Sequence, residues 1–198
     1  MLKGVDMRFS NFLIVGFLIC LMLSTKALAQ RPDGGSVEFA VLGGLTSLSY
    51  EDSWGYEDSE SYLTIPSGSS SFPLSSMLRL GIWTDSPLVV ELGFSFLNVN
   101  DGDDLTVSNI EGGIGAAFGE GSTKTFPFAS ILIGLLSVDG GGTGGTDTEG
   151  YIGFQGGMKY FFRKHAAIRM QVGYRNFLGD ELNLKSSLEI AGGLSFFI

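Results

Sequence analysis

Hydrophobic residues recur at every second position along much of this chain, most clearly in the C-terminal stretch 184–198, LKSSLEIAGGLSFFI. Its even positions carry Leu184, Leu188, Ile190, Leu194, Phe196 and Ile198, with Ser186 and Gly192 as exceptions. Its odd positions carry Lys185, Ser187, Glu189, Ala191, Gly193, Ser195 and Phe197. Side chains alternate across a strand with period two, so the pattern predicts a two-faced β-strand and not a helix. The stretch is also long. Strands of soluble proteins run ~5–6 residues, whereas a tilted strand crossing a bilayer needs ~9–11.

The same alternation predicts seven earlier strands, over 37–49, 75–84, 88–99, 105–118, 126–138, 148–162 and 166–177. The fifth is the least clear, because Ile131 to Leu136 (ILIGLL) is apolar on both faces, and Leu42 and Leu48 interrupt the polar face of the first. Connections after the second, fourth and sixth strands have 3, 7 and 3 residues; those after the first, third, fifth and seventh have 25, 5, 9 and 6. Membrane barrels have an even strand number, short periplasmic turns and longer outer loops. The predicted fold is therefore all-β, an eight-stranded antiparallel up-and-down transmembrane β-barrel over 30–198, with both termini periplasmic. No stretch after residue 30 is long and apolar enough for a spanning helix, and hydrocarbon tolerates strands only in a closed barrel.

Residues 1–29 read as a cleaved export signal. Lys3 and Arg8 precede a hydrophobic run, Phe12 to Leu23, and Ala27-Leu28-Ala29 forms a small-x-small site before Gln30. Twelve apolar residues are too few for a spanning helix, which needs ~20. The only cysteine, Cys20, lies in that run, so the chain after the signal supports no disulfide, thiolate catalysis or cysteine metal site.

Charge and glycine sharpen the picture. The chain holds 30 glycines and carries a net charge of −9. Losing Lys3, Arg8, Lys26 and Asp6 with the signal leaves nine basic and twenty acidic residues, a net of −11. Such a chain repels nucleic acid. The polar strand faces collect Glu38, Glu91, Glu111, Glu149 and Glu189 with Arg79, Lys159, Arg169, Arg175 and Lys185, among small residues such as Gly93, Ser95, Gly113, Gly153, Gly157, Gly173 and Gly193. An eight-stranded barrel is just wide enough for side chains to fill it. Long buried charges there need both small neighbours and partners, so the balanced set predicts a lumen plugged by ion pairs.

The proposed outer loops hold Glu51, Asp52, Glu57, Asp58, Glu60, Asp101, Asp103, Asp104, Asp139, Asp147, Asp180 and Glu181, with no lysine or arginine. The periplasmic turns hold Lys124, Arg163, Lys164 and His165 besides Asp85 and Glu120. Carboxylates suit Ca²⁺ or Mg²⁺, and Asp101, Asp103 and Asp104 form the tightest cluster. That cluster lacks the twelve-residue spacing and terminal Glu of an EF-hand loop, and a solvated acidic rim is the preferred reading. Aromatic residues fall near strand ends, as interface girdles do: Trp83, Phe118, Tyr160, Phe162 and Phe196 toward the periplasmic boundary, Tyr50, Tyr174 and Phe177 toward the outer one.

The region 30–198 resembles the small eight-stranded outer-membrane barrels of the outer-membrane protein A and X type, chiefly through the first strand VEFAVLGGL and the last, LEIAGGLSFFI. Final strands of that family usually end in phenylalanine; here Ile198 is last and Phe196 stands two before it. The resemblance implies a protein in outer-membrane lipid, on a fold that hosts adhesins, resistance factors, lipid A enzymes and proteins with no assigned role; a monomer is expected.

Four functional expectations follow, in order of preference. The first is a non-enzymatic structural or surface-interaction protein that meets divalent cations or a partner through its acidic outer loops. The long loop 50–74, with Tyr50, Trp54, Tyr56, Tyr62 and Phe72, is the main contact candidate. The second is a soluble exported lipocalin-like barrel with its apolar face inward. The third is a lipid A-modifying enzyme, disfavoured because the only histidine, His165, lies in a periplasmic turn, and a general base must reach its nucleophile. The last, a diffusion pore, conflicts with a filled lumen. No catalytic triad, phosphate loop, zinc site or cofactor motif is present in the sequence.

Overall fold

A computed structural model describes residues 32, 34–51, 55–64, 78–101, 103–119, 124–140, 145–179 and 181–198. The export-signal reading of 1–29 and much of the outer loops lie outside these residues. Among the described residues nine strands occur: β1 Val37–Glu51, β2 Glu57–Thr64, β3 Leu78–Trp83, β4 Leu88–Asp101, β5 Asp103–Ala117, β6 Thr125–Asp139, β7 Thr146–Arg163, β8 Ala166–Phe177 and β9 Leu184–Phe197. Every pairing is antiparallel, neighbours in sequence pair from β3 to β9, and β1 pairs with β9 to close the wall. Around its base half the closed wall leaves no strand edge unpaired, as a barrel in hydrocarbon requires, while toward the rim β2 pairs with β1 alone among the described residues.

The wall has eight positions because β2 and β3 share one of them. The outer half of β1 pairs with β2, from Gly44 with Thr64 to Glu51 with Glu57. Its inner half pairs with β3, from Val37 with Ile82 to Val41 with Leu78. The stretch read from sequence as one loop, 50–74, thus contributes a strand of its own. Alternation is hidden there because EDSESYLT is polar on both faces until its last residues. The expected start of the second strand at 75–77 lies outside the described residues.

The acidic stretch 100–104 also differs from the expectation of a five-residue loop. β4 and β5 run almost into each other, with Asn100 opposite Asp104 and Asp101 opposite Asp103. The ambiguous fifth strand sorts cleanly: Phe126, Phe128, Ser130, Leu132 and Leu136 are buried, and Ile131, Ile133 and Leu135 face out. Parity decides each residue's face once the pleat is fixed. The outward positions of the wall are mostly apolar. Leu80, Ile82, Leu92, Phe94, Phe96, Ile110, Ile114, Ile152, Met170 and Ile190 are all exposed, whereas glutamates, arginines and a lysine are buried.

At the base, beside the C-terminus, Val37 and Ile198 exchange backbone hydrogen bonds of 2.9 Å in both directions, and the Gly35 N–H donates to the Trp83 carbonyl at 2.7 Å. These contacts fasten the two ends of the barrel segment to neighbouring strands. The opposite end is the rim.

Candidate functional site

The barrel interior holds three layers. Around the base, Trp83, Val89, Ala117, Phe126, Phe128, Phe161, Ala167 and Phe197 form an apolar cluster. Trp83 lies edge-on to Phe126 and Phe197, at ring separations of 6.3 and 5.9 Å, and Phe161 lies 4.8 Å from Phe197. Toward the rim, Leu48, Val107, Leu136, Tyr151, Phe177 and Leu184 form a second cluster, against which Tyr50, Tyr62, Val138 and Leu182 pack. The sequence expectation that Trp83 and Phe177 belong to outward girdles is therefore corrected: both are interior. Trp83 shares its parity with Arg79, and Phe177 with Arg175, so the pleat turns them inward. Tyr160, Phe162 and Phe196 do face outward near the base.

Between the clusters lies one continuous network of charges. Glu38 pairs with Lys159 and, at 3.5 Å, with Arg169. Arg169 spans Glu91 with two nitrogens, at 2.7 and 3.2 Å, and Lys159 and Arg79 approach the same carboxylate at 3.7 and 3.8 Å. Arg79 also pairs with Glu111, which Arg175 reaches at 3.2 Å, and Arg175 continues to Glu189 at 2.7 Å. Neutral groups complete the carboxylates' hydrogen bonds. Gln155 donates to Glu91 at 2.7 Å, Gln171 to Glu189 at 3.0 Å, and Tyr151 to Glu111 at 2.8 Å. A buried charge is tolerable only when paired and hydrogen-bonded in this way.

The layers are joined chemically. The Trp83 indole donates to Glu38 at 3.1 Å, while Lys159 Nζ stands 4.7 Å from the centre of the Trp83 ring. Arg169 lies 4.5 Å from the Phe128 ring and Arg175 5.7 Å from the Tyr151 ring. Cations over aromatic faces are attracted by the ring quadrupole. The charged layer is thus bracketed by aromatic rings at both ends.

Glycine placement makes room for this. Gly93 sits opposite Arg79 and Glu111, Gly113 opposite Glu91, Gly153 opposite Arg175, Gly173 opposite Glu189, and Gly193 opposite Arg169. Gly134 faces Tyr151, and a Cβ added there would overlap the phenol ring. Gly134→Ala should therefore push Tyr151 off Glu111 and destabilise the barrel by ~1–3 kcal/mol, the usual range for overpacking. Urea unfolding in lipid vesicles measures this, and Tyr151→Ala in the same chain should recover part of the loss.

Of the ten charges assigned to the lumen, eight form the network. Glu149 is buried but serves the β8–β9 connection, accepting from the backbone N–H groups of Gly179 at 3.1 Å and Leu182 at 3.2 Å. Lys185 is a correction. The β1–β9 register skips it, passing from Ser49 opposite Ser186 to Tyr50 opposite Leu184. One extra residue flips the side chains beyond a bulge. Leu184 accordingly turns inward, and Lys185 lies half-exposed, 3.0 Å from Glu51.

At the rim, Tyr50 and Tyr62 both donate to Glu60, the former at 3.4 Å. The side chains of Asp101, Asp103 and Asp104 lie outside the described residues, as do Asp52, Trp54 and Phe72. Among the described residues no group of three potential ligands is placed to hold a metal ion. His165 is exposed in the β7–β8 turn at the base.

No family model matches the chain, and no curated protein matches it in sequence. Solved structures do match. Neisserial surface protein A superposes with a TM-score of 0.56 at 16% identity, over 82% of this chain and 97% of that one. The N-terminal β-barrel domain of Pseudomonas aeruginosa OprF gives 0.53 at 11%, over 83% and 98%. The fold is that of a small eight-stranded outer-membrane barrel. The outer membrane protein OprG from Pseudomonas aeruginosa agrees, at 0.52 and 12% identity over 86% of this chain and 99% of that one. At these identities the likeness establishes architecture alone.

Proposed function

We propose that the chain is a non-enzymatic outer-membrane protein, monomeric, with both termini periplasmic, an interior closed to solutes, and an acidic rim as its contact surface. The observation that carries this reading is the inverted burial. Isoleucines, leucines and phenylalanines cover the outer wall while Arg79, Lys159, Arg169, Arg175 and their glutamates are buried. Water would punish that arrangement twice, by exposing a continuous apolar surface and by burying charge. Lipid reverses the first cost, because an apolar wall is what hydrocarbon favours.

The same inversion argues against a lipocalin-like barrel, whose apolar face must line the cavity. The three interior layers support a lumen that does not conduct: a continuous ion-pair network leaves its charges engaged with each other, and apolar clusters dehydrate both ends. At the rim, Glu57, Asp58, Glu60, Asp139, Asp147 and Glu181 offer carboxylates to divalent cations or to a partner at the cell surface. Planar-bilayer recording of the purified protein tests the closed interior. No discrete conductance steps are expected, and robust single-channel conductance would overturn the closed lumen.

A further inference from the structure

Among the described residues, the base of the barrel is electrostatically lopsided. Lys124 precedes β6, Arg163 ends β7, and Lys164 and His165 form the β7–β8 turn. All four are exposed. They are neighbours in space, because the Phe161 N–H donates to the Lys124 carbonyl at 2.6 Å and Arg163 lies opposite Ala166 across the turn. Among the described residues, no ion pair occupies Lys124, Arg163 or Lys164. The β3–β4 turn, four wall positions round the ring, carries Asp85 instead. Directly beside the basic turn, the outward faces of β7, β8 and β9 present Tyr160, Phe162, Ile168 and Phe196.

Resting on the membrane reading above, we propose that this quadrant of the base is a headgroup site for an anionic phospholipid of the leaflet facing the periplasm. Lys124, Arg163 and Lys164 would hold the phosphate, and the Tyr160–Phe162–Phe196 surface would carry the acyl chains. The geometry suits a phospholipid better than a soluble anion. Cations at the interface and aromatic and aliphatic groups one turn deeper match the two halves of one amphipathic molecule, and basic residues near a membrane surface attract anionic lipid. A soluble anion has no use for the apolar half. Asp85 on the far side confines the attraction to one sector, so the barrel binds lipid locally and does not simply carry a basic ring.

Native mass spectrometry of the full-length protein, released from membranes containing phosphatidylglycerol and phosphatidylcholine in equal amounts, tests the proposal. The wild type should retain phosphatidylglycerol preferentially, and each charge removed in Lys124→Gln, Arg163→Gln and Lys164→Gln should reduce that preference roughly fivefold. High salt should weaken it in the wild type, and Asp85→Asn should not. Equal retention of the two lipids by the wild type, or an undiminished preference in the triple variant, would overturn the site. A heat-dependent mobility shift on gels separates the two levels: a wild type that shifts but shows no lipid preference sinks the headgroup site alone. Absence of the shift removes the barrel reading and this proposal with it.

Discussion

Glu91→Gln should be the most damaging isosteric change in the barrel, lowering stability by ~3–5 kcal/mol. Shape is conserved, so packing contributes little. What changes is the charge of a carboxylate that Arg169 grips with two nitrogens and that Lys159, Arg79, Gln155 and Ser130 all approach. Neutralising it leaves Arg79, Lys159 and Arg169 to share Glu38 and Glu111. Breaking one partner out of a buried network costs more than the network's net worth, because the remaining charges stay dehydrated. Two comparisons make the result specific. Glu91→Gln combined with Arg169→Met restores the charge balance and should cost less than the sum of the two single changes. Lys185→Ala, which removes a half-exposed pair with Glu51, should stay within ~1 kcal/mol. Urea midpoints in lipid vesicles measure all of these. A loss at Glu91 no greater than that at Lys185 would mean the interior is hydrated and its pairs are ordinary surface pairs.

Ile133→Arg should cost ~2–4 kcal/mol, the price of a cation near the middle of a bilayer. Ile133 stands mid-strand on β6, with Gly112 on one side and Ile152 on the other. Ile131 and Leu135 lie above and below it on the same outward face. In a soluble protein an arginine replacing so exposed an isoleucine would be neutral or would help solubility. Only a hydrocarbon environment makes it expensive. Folding free energies in vesicles should show the loss, and it should shrink for an arginine placed outward at Phe162, beside the basic turn, where the wall meets headgroups. Equal, negligible costs at both positions would contradict a lipid-facing wall.

Much of this was legible in the sequence because a barrel reduces to parity. The alternation that separates Leu188 and Ile190 from Glu189 and Ala191 fixes the outer and inner faces at once, and the glycines opposite long charges mark which face is crowded. Three of the departures have distinct physical reasons. β2 escapes the alternation because Glu57–Thr64 has no apolar face to announce it; its partner is the outer half of β1. Parity alone places Lys185 inside, and the bulge reverses it. Trp83 stands near a strand end as a girdle residue would, but its parity with Arg79 puts it in the lumen beside Glu38. The apolar clusters above and below the charges were equally hidden: Phe126, Phe161 and Phe197 come from three strands, and only the register brings them together. The ion pairs join residues as far apart as Glu38 and Arg169, and balance of charge predicts a network without predicting who holds whom.

The wall is turned inside out relative to a soluble protein, and cysteine labelling along one strand reads that inversion residue by residue. Cys20 is the single cysteine of the sequence, so in a Cys20→Ser background introduced thiols are read alone. With Ile133→Cys and Ser130→Cys made separately in β6, folded protein in vesicles is exposed to a lipid-soluble and a membrane-impermeant maleimide. Ile133→Cys should react with the lipid-soluble reagent alone, and Ser130→Cys with neither until the barrel is unfolded. Labelling of Ile133→Cys by the impermeant reagent, with Ser130→Cys open to the lipid-soluble one, would show that the two faces are reversed.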